Sequence, residues 1–510
     1  MSANVASIAL KGMEGYKIQV EVRVMEGKES IVIVGLPDAS VKESKDRITA
    51  ALHSMNVDLT NKRVIINLSP SEEKKNGPLF DLPMALGILI NTGELKRRLP
   101  LNTAFLGALS LDGTIKPCEG MLPSVLSARK LGIKTIYLPF APHLPLLEFD
   151  DLEVVYAASL HEVIELLSGK KTLPLFPKPI ALAEKEEMHM DFAQIIGHSH
   201  AKRAMEIAAA GEHHLFMTGP PGCGKSMLAE SFPSILPPLT KEEQFEVISL
   251  YQLSTSSCAF SNRPPFRHPH HSASGVSIIG GGQHPKPGEI SLAHRGVLFL
   301  DEMAEFTKKT LDMLRQPLES GRITISRAHS TVNYPASFLL IGAMNPCPCG
   351  YLDSNQHYCT CSPKQIIAYQ NRLSGPIRDR FDINLSLSPV NFKKHLGKEE
   401  EPSEAVRNRV VQARKRQYDR YGKVVCNGRI DYQTLIRKSP ISSTDLQQLH
   451  TLSSKKDWSN RTQVKIIRLA RTIADLDATD NITEKHLFEA MKYHSRTGEE
   501  KGEVFMVGER

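Results

Sequence analysis

Nowhere in the 510 residues is there an apolar run of the ~20 residues that a membrane-spanning helix needs; the longest, Leu82 to Ile90, stops well short. The N-terminus has no basic-then-apolar leader, so the expectation is a soluble, cytoplasmic protein with no membrane partner. Eight cysteines are too few for a disulfide scaffold. Internal repeats and low-complexity tracts are lacking too, and the composition excludes disorder, collagen and coiled coil. What the chain does have is 41% apolar residues. At about 150 residues per domain, that provides roughly three domains with a core each.

Charge is unevenly spread. Residues 1–390 carry 39 basic and 39 acidic side chains, whereas residues 391–510 carry 24 and 17. The excess behind the net charge of +7 therefore lies in the last quarter, in runs such as Arg414-Lys415-Arg416 and in Arg461, Lys465, Arg468 and Arg471. A basic terminal module is the electrostatic footprint of a polyphosphate partner, and equally that of a solvated helix face.

Residues 1–167 read as a mixed α/β domain, with strand periodicity at Ile18 to Val24, Ile31 to Val34 and Val64 to Leu68 and helical spacing from Val41 to Met55. Residues 168–190, with three prolines and the charged run Glu184 to Glu187, have linker composition. Short apolar runs alternate with helical stretches over 191–390, as in an α/β sheet domain. Residues 391–510 read as helical, and Asn481 to Tyr493 is a final amphipathic segment opened by an Asn or Thr cap.

The apolar run Leu215 to Thr218 leads directly into Gly219-Pro220-Pro221-Gly222-Cys223-Gly224-Lys225-Ser226, which fits G-x-x-x-x-G-K-[ST] with a helical segment behind it. Glycines let successive N–H groups turn around a β-phosphate, Lys225 adds a point charge on the β/γ oxygens, and the Ser226 hydroxyl ligates magnesium. A second apolar run, Gly296 to Leu300, ends in Asp301-Glu302. Asp301 would hold the magnesium shell, and Glu302 would orient and deprotonate the attacking water. A third, Phe338 to Met344, delivers Asn345 to where it would touch a γ-phosphate or the lytic water. Farther on, Gly375-Pro376-Ile377-Arg378-Asp379-Arg380-Phe381-Asp382 supplies two arginines beside a strand; an arginine too distant for its own site can serve a neighbour's, which implies a ring.

These four blocks, in this order, resemble an AAA+ ATPase. The intervening string PFRHPHHSASGVSIIGGGQHPKPGEISLAHRGVLFLDEMAEF resembles the magnesium-chelatase-like branch, specifically the ComM/YifB family, and the likeness covers nearly the whole chain. The resemblance implies ATP and Mg2+ as ligands, Asn345 as sensor 1, Arg380 ahead of Arg378 as the trans-acting arginine finger, and Arg461 as sensor 2 on a helical lid. His198, in Ile195-Ile196-Gly197-His198, departs from the Gly-Gln usual at the adenine pocket. The N-terminal part looks like the Lon-protease (ribosomal S5 domain 2-like) fold, through Lys75 to Leu82 and Ala128 to Thr135. Leu79 stands where that family's serine nucleophile would be, and Pro117-Cys118-Glu119 interrupts the lysine region. Without an oxygen nucleophile no acyl-enzyme forms, so this domain reads as a platform and not a peptidase.

Cys347, Cys349, Cys359 and Cys361 lie at a density suited to tetrahedral structural zinc, with reduced thiols or a redox role as alternatives and His357 as a substitute ligand. Between the phosphate loop and Asp301, about Cys258 to Arg295, an insert holds the run Gly280-Gly281-Gly282 and His268, His270, His271, His284 and His294. By resemblance it projects toward a pore; its histidines either pack between prolines or bind metal. The hairpin-like Arg322 to Val332 would carry Arg327 and His329 at a tip able to track a DNA backbone. The expected function is a homohexameric ATP-driven motor on single-stranded or branched DNA, related to branch-migration helicases. The alternative is a chelatase-type motor driving metal insertion through a partner, although no D-x-S-x-S metal-adhesion motif occurs in the chain.

Overall fold

A computed structural model describes residues 2–96, 99–141, 148–169, 190–254, 261–282, 285–327, 330–352, 357–390, 399–439 and 441–494. Most of the linker expected at 168–190, together with His284 and His329, falls outside them. Two compact units form: Met1–Glu186 with Lys241–Ser261 and Thr324–Tyr334, and Glu187–Thr240 with Asn262–Ile323 and Pro335–Arg510.

The first unit is a seven-stranded mixed sheet in the order Ser30–Val34, Lys62–Ser69, Glu14–Glu26, Ala3–Lys11, Thr103–Phe105, Thr135–Leu138, Glu153–Tyr156. The apolar run Leu82 to Ile90 becomes the helix Asp81–Thr92, nine of whose residues are buried, so its hydrophobicity serves a core and not a membrane. Among the described residues no helix is long and apolar enough to cross a bilayer. Helix Ala39–Ser54 begins where Asp38 accepts from the Val41 amide at 2.8 Å.

Two segments expected in the nucleotide domain belong to this unit instead. Helix Lys241–Gln252 places Ile248 and Phe245 in the apolar cluster around Leu122 and Val125, and Gln252 accepts from the Leu122 amide at 3.0 Å. The hairpin, Arg322–Arg327 with Ser330–Pro335, lays Val332 against Gly12, and Arg327 is exposed at its end. Apolar burial decides both memberships, at sequence separations that periodicity does not report.

The second unit is built on a five-stranded parallel sheet, in the order Phe266–Arg267, Val297–Leu300, Leu339–Met344, Leu215–Thr218, Ile383–Ser386. The C-terminal helices pack onto this sheet. Val410, Ile467, Ile473 and Leu487 share one apolar cluster with Leu215, Ile341 and Ile383. Helix Asn460–Leu476, capped by Ser459, buries eleven of its residues, polar ones included.

That burial corrects the reading of the basic C-terminus. Arg471 is fully buried against Asp475 at 3.0 Å, and Arg420 pairs with the same carboxylate. Lys465 donates to the Phe381 carbonyl at 2.8 Å, Arg414 to that of Ala209 at 2.7 Å and Arg416 to that of Asp475 at 2.8 Å. Of the seven residues singled out in sequence, Lys415 and Arg461 are exposed, and Arg461 pairs with Asp379 at 2.6 Å. Most of these cations satisfy helix ends and internal carboxylates, leaving neither a solvated face nor a phosphate track in those positions.

Burial also predicts acid lability. The His214 imidazole, whose Nδ1 accepts from the Leu340 amide at 3.0 Å, is pushed down to about 3 by desolvation, assisted by Arg429. Burial pushes His494 down to about 4. An unfolded histidine titrates near 6.5, so as pH falls below that value the unfolded chain binds protons that the folded one refuses, and stability declines. The urea midpoint of the second unit, followed by the single tryptophan, Trp458, should fall between pH 7.5 and 5, and fall less in His214→Gln.

Candidate active site

The sheet order sets the site. Strand Leu339–Met344 lies between Leu215–Thr218 and Val297–Leu300, so the residues leaving the three carboxyl ends converge. Gly222 and Gly224 take φ of +74° and +88°, a left-handed backbone that turns loop amides inward and that side chains disfavour. Helix Lys225–Ser231 starts directly behind them.

Lys225 is largely buried. Its ammonium donates to the carbonyls of Gly219 at 2.8 Å and Pro220 at 3.0 Å and to Asn345 Oδ1 at 3.1 Å. Ser226 Oγ donates to Asp301 Oδ2 at 2.8 Å. A hydroxyl and a carboxylate already in contact make a hard-oxygen donor pair, which fits the coordination chemistry of magnesium. Pro221 and Cys223 complete the loop, and burial pushes the Cys223 thiol up, away from reactivity.

Glu302 follows with φ +48° and ψ +47°, its amide donating to Asp301 Oδ1 at 2.8 Å. At this turn the two adjacent carboxylates meet different neighbours: Asp301 contacts Ser226, and Glu302 lies 3.5 Å from His271 Nδ1. His198, also at positive φ, approaches the loop: a Cβ on Gly224 would be 3.4 Å from its Nε2. Of the other described insert histidines, His294 is buried and His268 and His270 are exposed. His268 lies against Phe299, His294 Nδ1 accepts from the Ser337 amide, and among the described residues the four cysteines are the one candidate metal group.

Arg380 and Arg461 are brought together elsewhere. Both line a polar cavity of about 240 Å³ with Asp379, Lys465, Arg468 and Arg429, and neither Lys225 nor Asp301 lines it. Glu319 holds Arg380 at 2.8 Å, and Asp379 holds both Arg461 and Lys465. Arg378 instead donates to the Gln370 carbonyl. Sequence reading missed Glu319 and Asp379 as keepers of these arginines, and Glu400, which accepts from the Gly197 amide and the Lys202 ammonium at 2.6 Å each. Single carboxylates carry no local pattern that would have marked them.

In the first unit, Leu79 is buried in an apolar cluster. Desolvation pushes the nearby Cys118 thiol up to about 11, the reverse of an activated nucleophile.

Comparison with known proteins agrees along the chain. Residues 191–395 match the family described as magnesium chelatase, subunit ChlI; residues 20–142 match subunit ChlI of Mg-chelatase, and residues 400–494 match the ChlI C-terminal family. Competence protein ComM of Haemophilus influenzae is 39% identical over 500 residues, 97% of each chain. Protein YifB of Escherichia coli is 38% identical over 493 residues, 96% of each. The magnesium-chelatase 38 kDa subunit of Rhodobacter capsulatus is 25% identical over 198 residues, 35% of this chain and 53% of its own. The chain therefore belongs to the ComM/YifB family of magnesium-chelatase-like AAA+ ATPases.

Proposed function

We propose that the protein is a homohexameric motor that hydrolyses ATP at the seams between protomers and uses the energy to remodel single-stranded or branched DNA. The observation that carries the hydrolytic half is the convergence of Lys225, Ser226, Asp301 and Asn345, with Glu302 one residue beyond. On binding, Lys225 exchanges loop carbonyls for phosphate oxygens. Ser226 and Asp301 would hold magnesium, which would neutralise phosphate charge. Asn345 orients the γ-phosphate or the attacking water, and Glu302 removes that water's proton. Arg380 and Arg461, gathered on a cavity that the phosphate loop does not line, serve the neighbouring protomer's nucleotide.

The DNA half is supported by near full-length similarity to a protein named for competence. The exposed Arg327, Lys415, Lys423, Arg437, Lys438 and Lys455 are the cations available to a phosphate backbone. The N-terminal unit, a degenerate Lon-protease-like domain, acts as a ring-forming or DNA-contacting platform.

ATP turnover with and without single-stranded or junction DNA tests this reading. Turnover should rise several-fold on DNA, and DNA affinity should fall roughly 10-fold or more from 50 to 200 mM salt. Absence of both stimulation and salt-sensitive binding would remove the DNA claim. The magnesium chelatase descriptions of all three matched segments favour a second reading, a motor driving metal insertion with a partner subunit. Tetrapyrrole binding, or ATPase activity dependent on a chelatase subunit, would select it.

A further inference from the structure

We propose that Cys347, Cys349, Cys359 and Cys361 bind one zinc ion as a tetrathiolate, and that the metal-closed loop is a clamp that fixes the phosphate loop and Asn345. The first half stands on sulfur geometry. Cys347 and Cys349 Sγ lie 3.4 Å apart, Cys347 and Cys359 3.7 Å, Cys349 and Cys359 3.5 Å, and all four sulfurs fall within 4.8 Å of one another. Tetrahedral zinc with Zn–S bonds of about 2.3 Å requires sulfurs roughly 3.8 Å apart, so Cys347, Cys349 and Cys359 already stand near that spacing, with Cys361 within 4.8 Å of them. They are too close together for a multi-iron cluster to sit among them. Four protein sulfurs fill the coordination sphere, which makes the site structural and closed.

The loop needs such a tie. Among its described residues Tyr358 is 89% exposed, while Cys347 is fully buried at its root. Metal binding replaces the missing apolar contacts as the source of folding energy.

The second half, which rests on the ATP-site reading above, follows from where the loop begins and what it touches. Cys347 is two residues past Asn345, whose side chain bonds Lys225. Gly350, between the two cysteine pairs at φ +81°, lies directly on the phosphate loop. A Cβ there would come 2.6 Å from Cδ and 2.8 Å from Cγ of Pro221, and 3.9 Å from Cγ of Asn345. Gly350 is held in place by its amide bond to the Cys347 carbonyl at 3.0 Å, within the metal knuckle itself. From the other side, Gln370 donates to the Pro346 carbonyl at 3.1 Å. Losing the metal would free the segment that carries Asn345 and uncover Pro221.

The test uses the purified full-length chain. Elemental analysis should find about one zinc per chain, absent from a Cys349→Ser/Cys359→Ser variant. Replacement by Co2+ should give the intense thiolate-to-cobalt charge transfer and the visible bands of a tetrahedral sulfur site. Zinc removal by a chelator should lower ATP turnover by about 10-fold or more, with recovery on adding zinc back. Gly350→Ala should keep its zinc and still lose ATP affinity and turnover, and adding Pro221→Ala should restore part of that loss by relieving the contact. Wild-type protein without bound metal, or without the cobalt spectrum, would overturn the site. Metal-free or Gly350→Ala protein that binds and turns over ATP like the wild type would overturn the clamp. Because the metal arms involve no nucleotide, an inactive wild type that carries its zinc would overturn the clamp and the ATP reading while the metal site stands.

Discussion

Glu302→Gln is expected to lower ATP turnover by about 10²- to 10⁴-fold while leaving nucleotide binding intact. The two functions separate because the two carboxylates do. Asp301 is tied to Ser226, its partner in the proposed magnesium donor pair, whereas Glu302, turned out by its left-handed backbone, is 55% exposed at the side chain and touches neither Lys225 nor Ser226. Glutamine keeps the volume and the hydrogen-bonding reach but cannot accept a proton at neutral pH. Single-turnover hydrolysis beside a nucleotide titration distinguishes this from Lys225→Ala, which should lose binding itself. Turnover unaffected by Glu302→Gln would remove the general base from the account.

Arg380→Ala is expected to cost about 10³- to 10⁵-fold in turnover, the range a transition-state arginine supplies. The fold should tolerate it. The partner left behind, Glu319, is 66% exposed and returns to water instead of being stranded as a buried charge. The resting Arg380–Glu319 pair at 2.8 Å also says what engagement with a neighbour requires: the guanidinium must leave Glu319, or share it, to reach a phosphate. Oligomer size and urea stability near wild type, with nucleotide binding retained and hydrolysis lost, is the expected pattern. Hydrolysis at the wild-type rate would assign Arg380 a purely structural pairing with Glu319.

The phosphate loop, the Asp301-Glu302 strand and Asn345 were legible in sequence because each is a short apolar run ended by a glycine turn or a polar residue, a pattern local enough to read. Strand Lys62–Ser69 was legible in the same way, and helix Glu484–Lys492 through its amphipathic spacing and Thr483 cap. What stayed hidden depends on pairing across long separations. The arginines after residue 400 look like a basic surface until Asp475, the Ala209 carbonyl and the Phe381 carbonyl are seen to absorb them. The attachment of helix Lys241–Gln252 to the N-terminal unit rests on Phe245 and Ile248 meeting residues more than a hundred positions away. Cysteine spacing pointed to a metal; that Gly350 lies on Pro221 is a tertiary fact without any sequence pattern.

In the proposed ring each hydrolytic site is shared, with Lys225 and Glu302 from one protomer and Arg380 from the next. The most direct test mixes Lys225→Ala and Arg380→Ala proteins, each inactive alone, under conditions of subunit exchange. In a random 1:1 ring about a quarter of the seams join an intact loop to an intact arginine, so ATP hydrolysis should reappear at a comparable fraction of the wild-type rate. No activity at any ratio, from variants shown to exchange and assemble, would contradict the account.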